Sequence, residues 1–129
     1  MANALTTADW TKRAGQKVAR TQLFIDGKFV DSASGKTFES INPRDGSVIA
    51  NVAEGDVEDI NRAVAVAKRT FEAGVWSEMA PQDRKNVMLR WAQLIRENAE
   101  ELALLETMNC GKPISDSLNV DVASCANNI

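Results

Sequence analysis

The chain has 129 residues, with 15 Lys and Arg against 18 Asp and Glu, for a formal net charge of −3. That length bounds it to one ordinary domain, able to bury roughly two thirds of its unfolded surface. An average balance of 44% hydrophobic and 26% charged residues excludes disordered and collagen-like classes, and no apolar run approaches the roughly 20 residues that cross a bilayer.

Residues 1–21, MANALTTADWTKRAGQKVART, form a basic leader. Trp10, Ala14 and Val18 recur at helical spacing. Lys12, Arg13, Lys17 and Arg20 are compatible with a mitochondrial transit peptide, but the preferred reading is a solvated amphipathic extension lying on a larger body. The leader lacks the apolar run of a secretory signal.

From Gln22 the period becomes two. Leu23-Phe24-Ile25 and Lys28-Phe29-Val30 flank Asp26-Gly27, the type I′ hairpin signal, because both turn positions require φ > 0. Ser34-Gly35 predicts a second turn and Thr37–Ile41 a further strand, stopped by Asn42-Pro43. Asp45-Gly46 then turns the chain into a strand from Ser47 to Val52. The first half is predicted to be a small β-meander.

Helices follow. Asp56 caps a predicted helix over Val57–Gly74, with Glu58 and Asp59 in the first turn and Ile60, Val64, Ala67 and Phe71 on one face. Pro81 opens the next helix, whose stripe is Val87, Met88, Trp91, Leu94 and Ile95. Asn98 and Glu101 read as a capping-box variant for Ala99–Met108, and Gly111 and Pro113 end that helix. Ser115 or Asp116 caps a fourth helix, with Leu118, Val122, Cys125, Ala126 and Ile129 on one face. That stripe is still running at Ile129, so the sequence reads as part of a larger protein, cut inside the last helix.

The inventory of reactive groups is narrow. With no histidine, a His base and a His-ligated metal are excluded within the chain. The cysteines are Cys110 and Cys125, consistent with a reducing compartment and too few to build a zinc site. No pair of glycines has the spacing of a dinucleotide-binding turn or a phosphate-binding loop. Mild acidity gives no reason to expect nucleic acid or an anionic membrane surface as a partner.

Cys110 is the tempting nucleophile, but it falls at a helix C-terminus, where the dipole opposes a thiolate. Both cysteines are read as structural, Cys125 on an apolar stripe. Lys112 is read as capping carbonyls rather than contacting phosphate. Glu100, Glu101 and Glu106 are read as solvation and capping on an exposed face. Trp76 and Trp91 suggest stacking, but Trp91 is expected in the core.

From Leu23 onward the sequence resembles the N-terminal part of the aldehyde dehydrogenase superfamily. The stretches that carry the match are LFIDGKFVDSASGKTFESINPRDGSVIANVAEGDVEDINRAV, VAKRTFEAGVWSEMAPQDRKNVMLRWAQLI, ENAEELALLET and MNCGKPI, in the family's order. The leader's ADWTKRA is similar to the branch acting on γ-aminobutyraldehyde-type substrates of polyamine breakdown. The resemblance implies an α/β fold. Residues 22–129 would be the first, incomplete segment of a Rossmann-like NAD(P)-binding domain, built as a β-hairpin or meander followed by amphipathic helices.

For the parent protein the resemblance implies a cysteine nucleophile, an oxyanion site of an asparagine side chain and a backbone N–H, hydride transfer to NAD or NADP, and a glutamate that activates water. None of those groups maps onto this sequence. What the resemblance does imply here is a monovalent-cation site, bound through backbone oxygens just before the Asn-Pro turn and near an acidic residue ahead of Gly-Lys-Pro. The matching positions are Ser40, Ile41 and Asn109, where asparagine stands at the position usually held by aspartate, and an amide supplies an oxygen without charge, so hard-cation affinity should fall.

Three readings follow. The first is the opening of an NAD(P)-dependent aldehyde dehydrogenase, inert alone, whose partners are the remainder of the enzyme and a small aldehyde. That parent is expected to be a cytoplasmic homodimer or homotetramer. The second is a non-catalytic module docking on a larger partner. The third, a thiol enzyme using Cys110, fails for want of a base.

Overall fold

The Asp26-Gly27 loop turns as its residues require. In the computed structural model, which describes residues 5–129, Asp26 has φ 55° and Gly27 φ 72°. They join β1 (Leu23–Ile25) to β2 (Lys28–Val30) with Phe24 opposite Phe29. A second hairpin pairs β3 (Thr37–Ile41) with β4 (Val48–Ala53). The register skips Ile49, because Ser40 pairs with Ala50 and Ile41 with Val48. This bulge breaks the in–out alternation, so Ile49 and Ala50 are both half-buried. The expected meander is two separate two-stranded sheets, since β2 and β3 do not pair.

The leader's helix, α1 (Thr7–Ala14), is shorter than its stripe. It opens on a Thr6–Asp9 capping box and ends at Gly15, leaving Val18 outside it. Of the leader, Met1 to Ala4 lie outside the described residues.

Helix α2 (Val57–Glu72) starts at Asp56 as expected, in a reciprocal capping box with Asp59. Asp59 also ties the two halves of the chain together. It is only 2% exposed. Its carboxylate accepts from the backbone N–H of Ala33 (3.1 and 3.2 Å) and of Asp56 (3.3 Å), and from the Arg62 guanidinium at 2.9 Å. Helix α2 is thereby fixed on the turn that follows β2.

Helix α3 (Pro81–Glu97) opens on proline, and α4 (Ala99–Cys110) ends at Gly111 with φ 73°. The expected capping box at Asn98 is absent. Its side-chain amide instead donates back to the carbonyl of Leu94 at 2.8 Å, closing the end of α3. The last helical stretch begins earlier than expected, after Pro113. It runs as α5 (Ile114–Asp116), a π-helix over Ser117–Val122, and α6 (Ala123–Asn127). Arg96 on α3 clasps its end, donating to the carbonyl of Ala126 (3.1 Å) and to Asn127 Oδ1 (2.8 Å).

The core is small and made of small residues. Ala92 on α3, Ala103 on α4, and Val122 and Ala126 on the last stretch are buried, with Ala53 of β4. Short side chains let α3 and α4 approach the final helix closely, and the dispersion gained there depends on that fit. Among them Thr107 donates to the fully buried Ser117 hydroxyl at 3.0 Å.

The stripes of α2 and α3 meet the protein in different ways. On α2, Ile60, Val64, Ala67 and Phe71 face outward, while Asp59, Ala63 and Val66 face the protein. On α3 the stripe divides: Met88 and Ile95 turn inward beside Ala92, whereas Val87, Trp91 and Leu94 are exposed. Trp91 is therefore not core. Periodicity identifies an apolar face but not the neighbour it meets.

Candidate functional site

The polar side chains that carry candidate chemistry gather where the β3–β4 hairpin meets the C-terminal end of α4. Asn42 shapes the hairpin turn by accepting from the backbone N–H of Arg44 at 3.0 Å, while Gly46, at φ 74°, donates its N–H to the Asn42 carbonyl at 2.8 Å. Pro43 lies against Gly111 so closely that a Cβ there would stand 3.0 Å from Pro43 Cγ. Glycine at 111 therefore serves two needs, the left-handed stop and the close approach of the hairpin.

Two of the three residues carried over as a cation site meet here. Ser40 Oγ donates to Asn109 Oδ1 at 2.8 Å, across 69 positions of sequence. Asn109 also donates its amide to the Leu105 carbonyl at 3.2 Å, which fixes which end of the amide faces Ser40. The Ile41 side chain is exposed. Among the described residues no group of three or more His, Cys, Asp or Glu is arranged to hold a metal ion.

Cys110 points away from nucleophilic chemistry. Its thiol is exposed at the end of α4 and donates to Glu106 Oε1 at 3.3 Å. That hydrogen bond, with desolvation and the negative charge of Glu106, raises the thiol above the ordinary value of 9.0, and Lys112 only partly offsets it. Cys125 is also exposed, so it does not belong to the buried side of the last helix.

Lys112 does not cap carbonyls. Its ammonium pairs with the Asp121 carboxylate on the π-helix, and that hydrogen bond raises it above the usual lysine value of 10.5. Of the acidic residues, Glu100 pairs with Arg13 of the leader at 2.6 Å and Glu106 accepts from Cys110. They are not a catalytic pair.

An open groove of about 940 Å³ lies between residues 13–20 and the outer sides of α3 and α4, lined among others by Arg20, Trp91, Leu94, Leu102, Leu105 and Met108. It is no dinucleotide cradle. The described residues contain no strand–glycine-rich turn–helix unit, and the N-terminus of α2 is already filled by Asp56 and Asp59. The residues present do not fit the nicotinamide cofactor. Trp76 is exposed as well.

The described residues thus form hairpins, capped helices and tight polar ties of an α/β fold. The chain belongs to the aldehyde dehydrogenase family, whose profile matches residues 29–129. It is 54% identical over 106 residues to a mitochondrial aldehyde dehydrogenase (family 2 member B4) of Arabidopsis thaliana, covering 82% of this chain and 20% of that protein. It superposes on an indole-3-acetaldehyde dehydrogenase of P. syringae in complex with NAD+ with a TM-score of 0.92 and 49% identity, over 96% of this chain and 25% of the other. For the γ-glutamyl-γ-aminobutyraldehyde dehydrogenase of Burkholderia cenocepacia the TM-score is 0.92 at 48% identity, over 95% and 25%. The chain thus spans about a fifth of the curated relative and about a quarter of the solved ones.

The buried Asp59 tie and the Ser40–Asn109 contact were missed from sequence. The spacing Asp56-x-x-Asp59 is a signal for the first. No local signal exists for the second.

Proposed function

We propose that the chain is the opening scaffold of an NAD(P)-dependent aldehyde dehydrogenase that oxidises an aldehyde to a carboxylic acid, and that residues 1–129 by themselves are catalytically inert. One observation carries this reading: the backbone follows an NAD+-complexed family member with a TM-score of 0.92, while Cys110, Lys112 and Glu106 are engaged with one another or with Asp121. Residues 1–21 act as a leader resting on α4 through Arg13 and Glu100, and residues 22–129 form the first segment of the cofactor domain. The remainder of the enzyme is its partner. The site residues for the aldehyde and the dinucleotide lie outside this segment, and the assembled enzyme is a homodimer or homotetramer.

An aminoaldehyde is the proposed substrate class. It is supported by the leader's ADWTKRA, by the Burkholderia cenocepacia neighbour, and by 43% identity to an aminoacetaldehyde dehydrogenase of Pseudomonas aeruginosa. A cytoplasmic location is proposed with it; no helix among the described residues is long and apolar enough to cross a membrane.

A second reading, a non-catalytic module docking on a larger partner, draws on the exposed Phe71, Ile60 and Val64 of α2. One assay separates the two. The native gene product, captured through an antibody to residues 56–108, is sized and then given aminoaldehydes with NAD or NADP. A product several times heavier than 14.1 kDa that reduces the nucleotide supports the enzyme reading, whereas a stable 14.1 kDa product without turnover supports the module. Turnover by residues 1–129 alone, lost in Cys110→Ala, would overturn both.

A further inference from the structure

The groove between residues 13–20 and the outer sides of α3 and α4 is apolar along its floor and charged along its rim. Trp91, Leu94, Leu102, Leu105 and Met108 line the floor, and Lys17 and Arg20 stand on the leader side. The Arg20 guanidinium lies 4.9 Å from the centroid of the Phe29 ring. Among the described residues neither Lys17 nor Arg20 has a carboxylate partner. The chain as a whole exposes 9519 Å², whereas a compact body of 14.1 kDa exposes about 6,700 Å². The surplus of about 2,800 Å² is roughly three times what one partner gives to a standard interface, and it falls in the range of obligate association.

A second copy of the chain does not suit this groove. A two-fold contact would set hollow against hollow and bring like charges together. The outer side of α2, with Ile60, Val64 and Phe71 exposed, could enter another copy's groove only head to tail, without two-fold closure. The solved relatives instead carry three quarters of their length beyond the part that this chain covers. We propose that the groove seats an amphipathic element from that remaining three quarters of the dehydrogenase, apolar along its middle and acidic along the edge that faces residues 17–20. This docking rests on the enzyme reading above, and adds to it the surface that is gripped and the chemistry that grips it.

The test uses the native gene product as isolated, with no substitution. Hydroxyl-radical oxidation of Trp91 is compared in the native and the guanidinium-unfolded product, and a carbodiimide couples Lys17 to any carboxylate in contact with it. An open groove leaves Trp91 54% exposed and oxidised at a comparable share of its unfolded rate. A seated element packs as tightly as a protein interior and should cut that share below about a tenth. Lys17 should couple to an Asp or Glu of the dehydrogenase outside residues 1–129. An open Trp91 overturns the docking, as does coupling of Lys17 only within residues 1–129, to a second copy of them, or to a protein that is not a dehydrogenase. Aldehyde turnover with Trp91 open removes the docking and keeps the enzyme reading. A covered Trp91 and the expected coupling, without nucleotide reduction, keep the docking and remove the enzyme reading.

Discussion

Helix α3 has two sides of opposite character. Its inner side packs through Ala92 against the last helical stretch, where Ala126 and Val122 are buried, while its outer side carries Trp91 at 54% exposure together with Val87 and Leu94. Helix α2 repeats the pattern: a buried carboxylate inside, and Phe71 at 78% exposure outside. Large apolar groups stand in solvent and small or charged ones are enclosed, the reverse of the usual ordering. Close backbone approach and polar ties therefore carry much of the stability within this chain, beside half-buried groups such as Met88 and Ile95.

That contrast can be broken most directly at Asp59. Asp59→Ala strands the N–H groups of Ala33 and Asp56 and should cost about 3 kcal/mol in chemical unfolding. A loss comparable to a surface substitution would refute the tie. Ala103→Leu comes next: overpacking a fully buried site between α4 and its neighbours should cost about 2 kcal/mol, and a neutral result would mean that the helices have slack between them. Glu106→Ala should speed alkylation of Cys110 by iodoacetamide and move the midpoint of its pH–rate profile down, because the group that raises the thiol is gone. The sign also fixes the linkage. A raised thiol favours the folded state below the unfolded value, and that contribution fades as pH climbs through the folded one. Phe71→Ser should be the mildest, within about 0.5 kcal/mol; a large loss would show that the outer face of α2 is covered.

Local chemistry in the sequence was legible and direction was not. Asp26-Gly27, Asp56, Pro81 and Gly111 each mark their element because a single residue's backbone or capping preference decides the matter there. Which way a stripe points depends on partners far along the chain, so the same periodicity led to Ile60 and Trp91 as core when both are exposed. The candidate site divides in the same way. The position of Cys110 at a helix end predicts a poor nucleophile, whereas the pairing of Lys112 with Asp121 depends on a π-helix that shifts residues Ser117–Val122 out of ordinary helical phase.

The reach of the polar ties has a consequence for how the chain acquires its shape during synthesis. Asp59 grips Ala33 across 26 positions, so β1, β2 and the first turn of α2 can close as one unit soon after they leave the ribosome. Arg13 meets Glu100 across 87 positions, and the N-terminal helix has no such anchor until α4 has been made. The helix made before the hairpins is thus fastened after them.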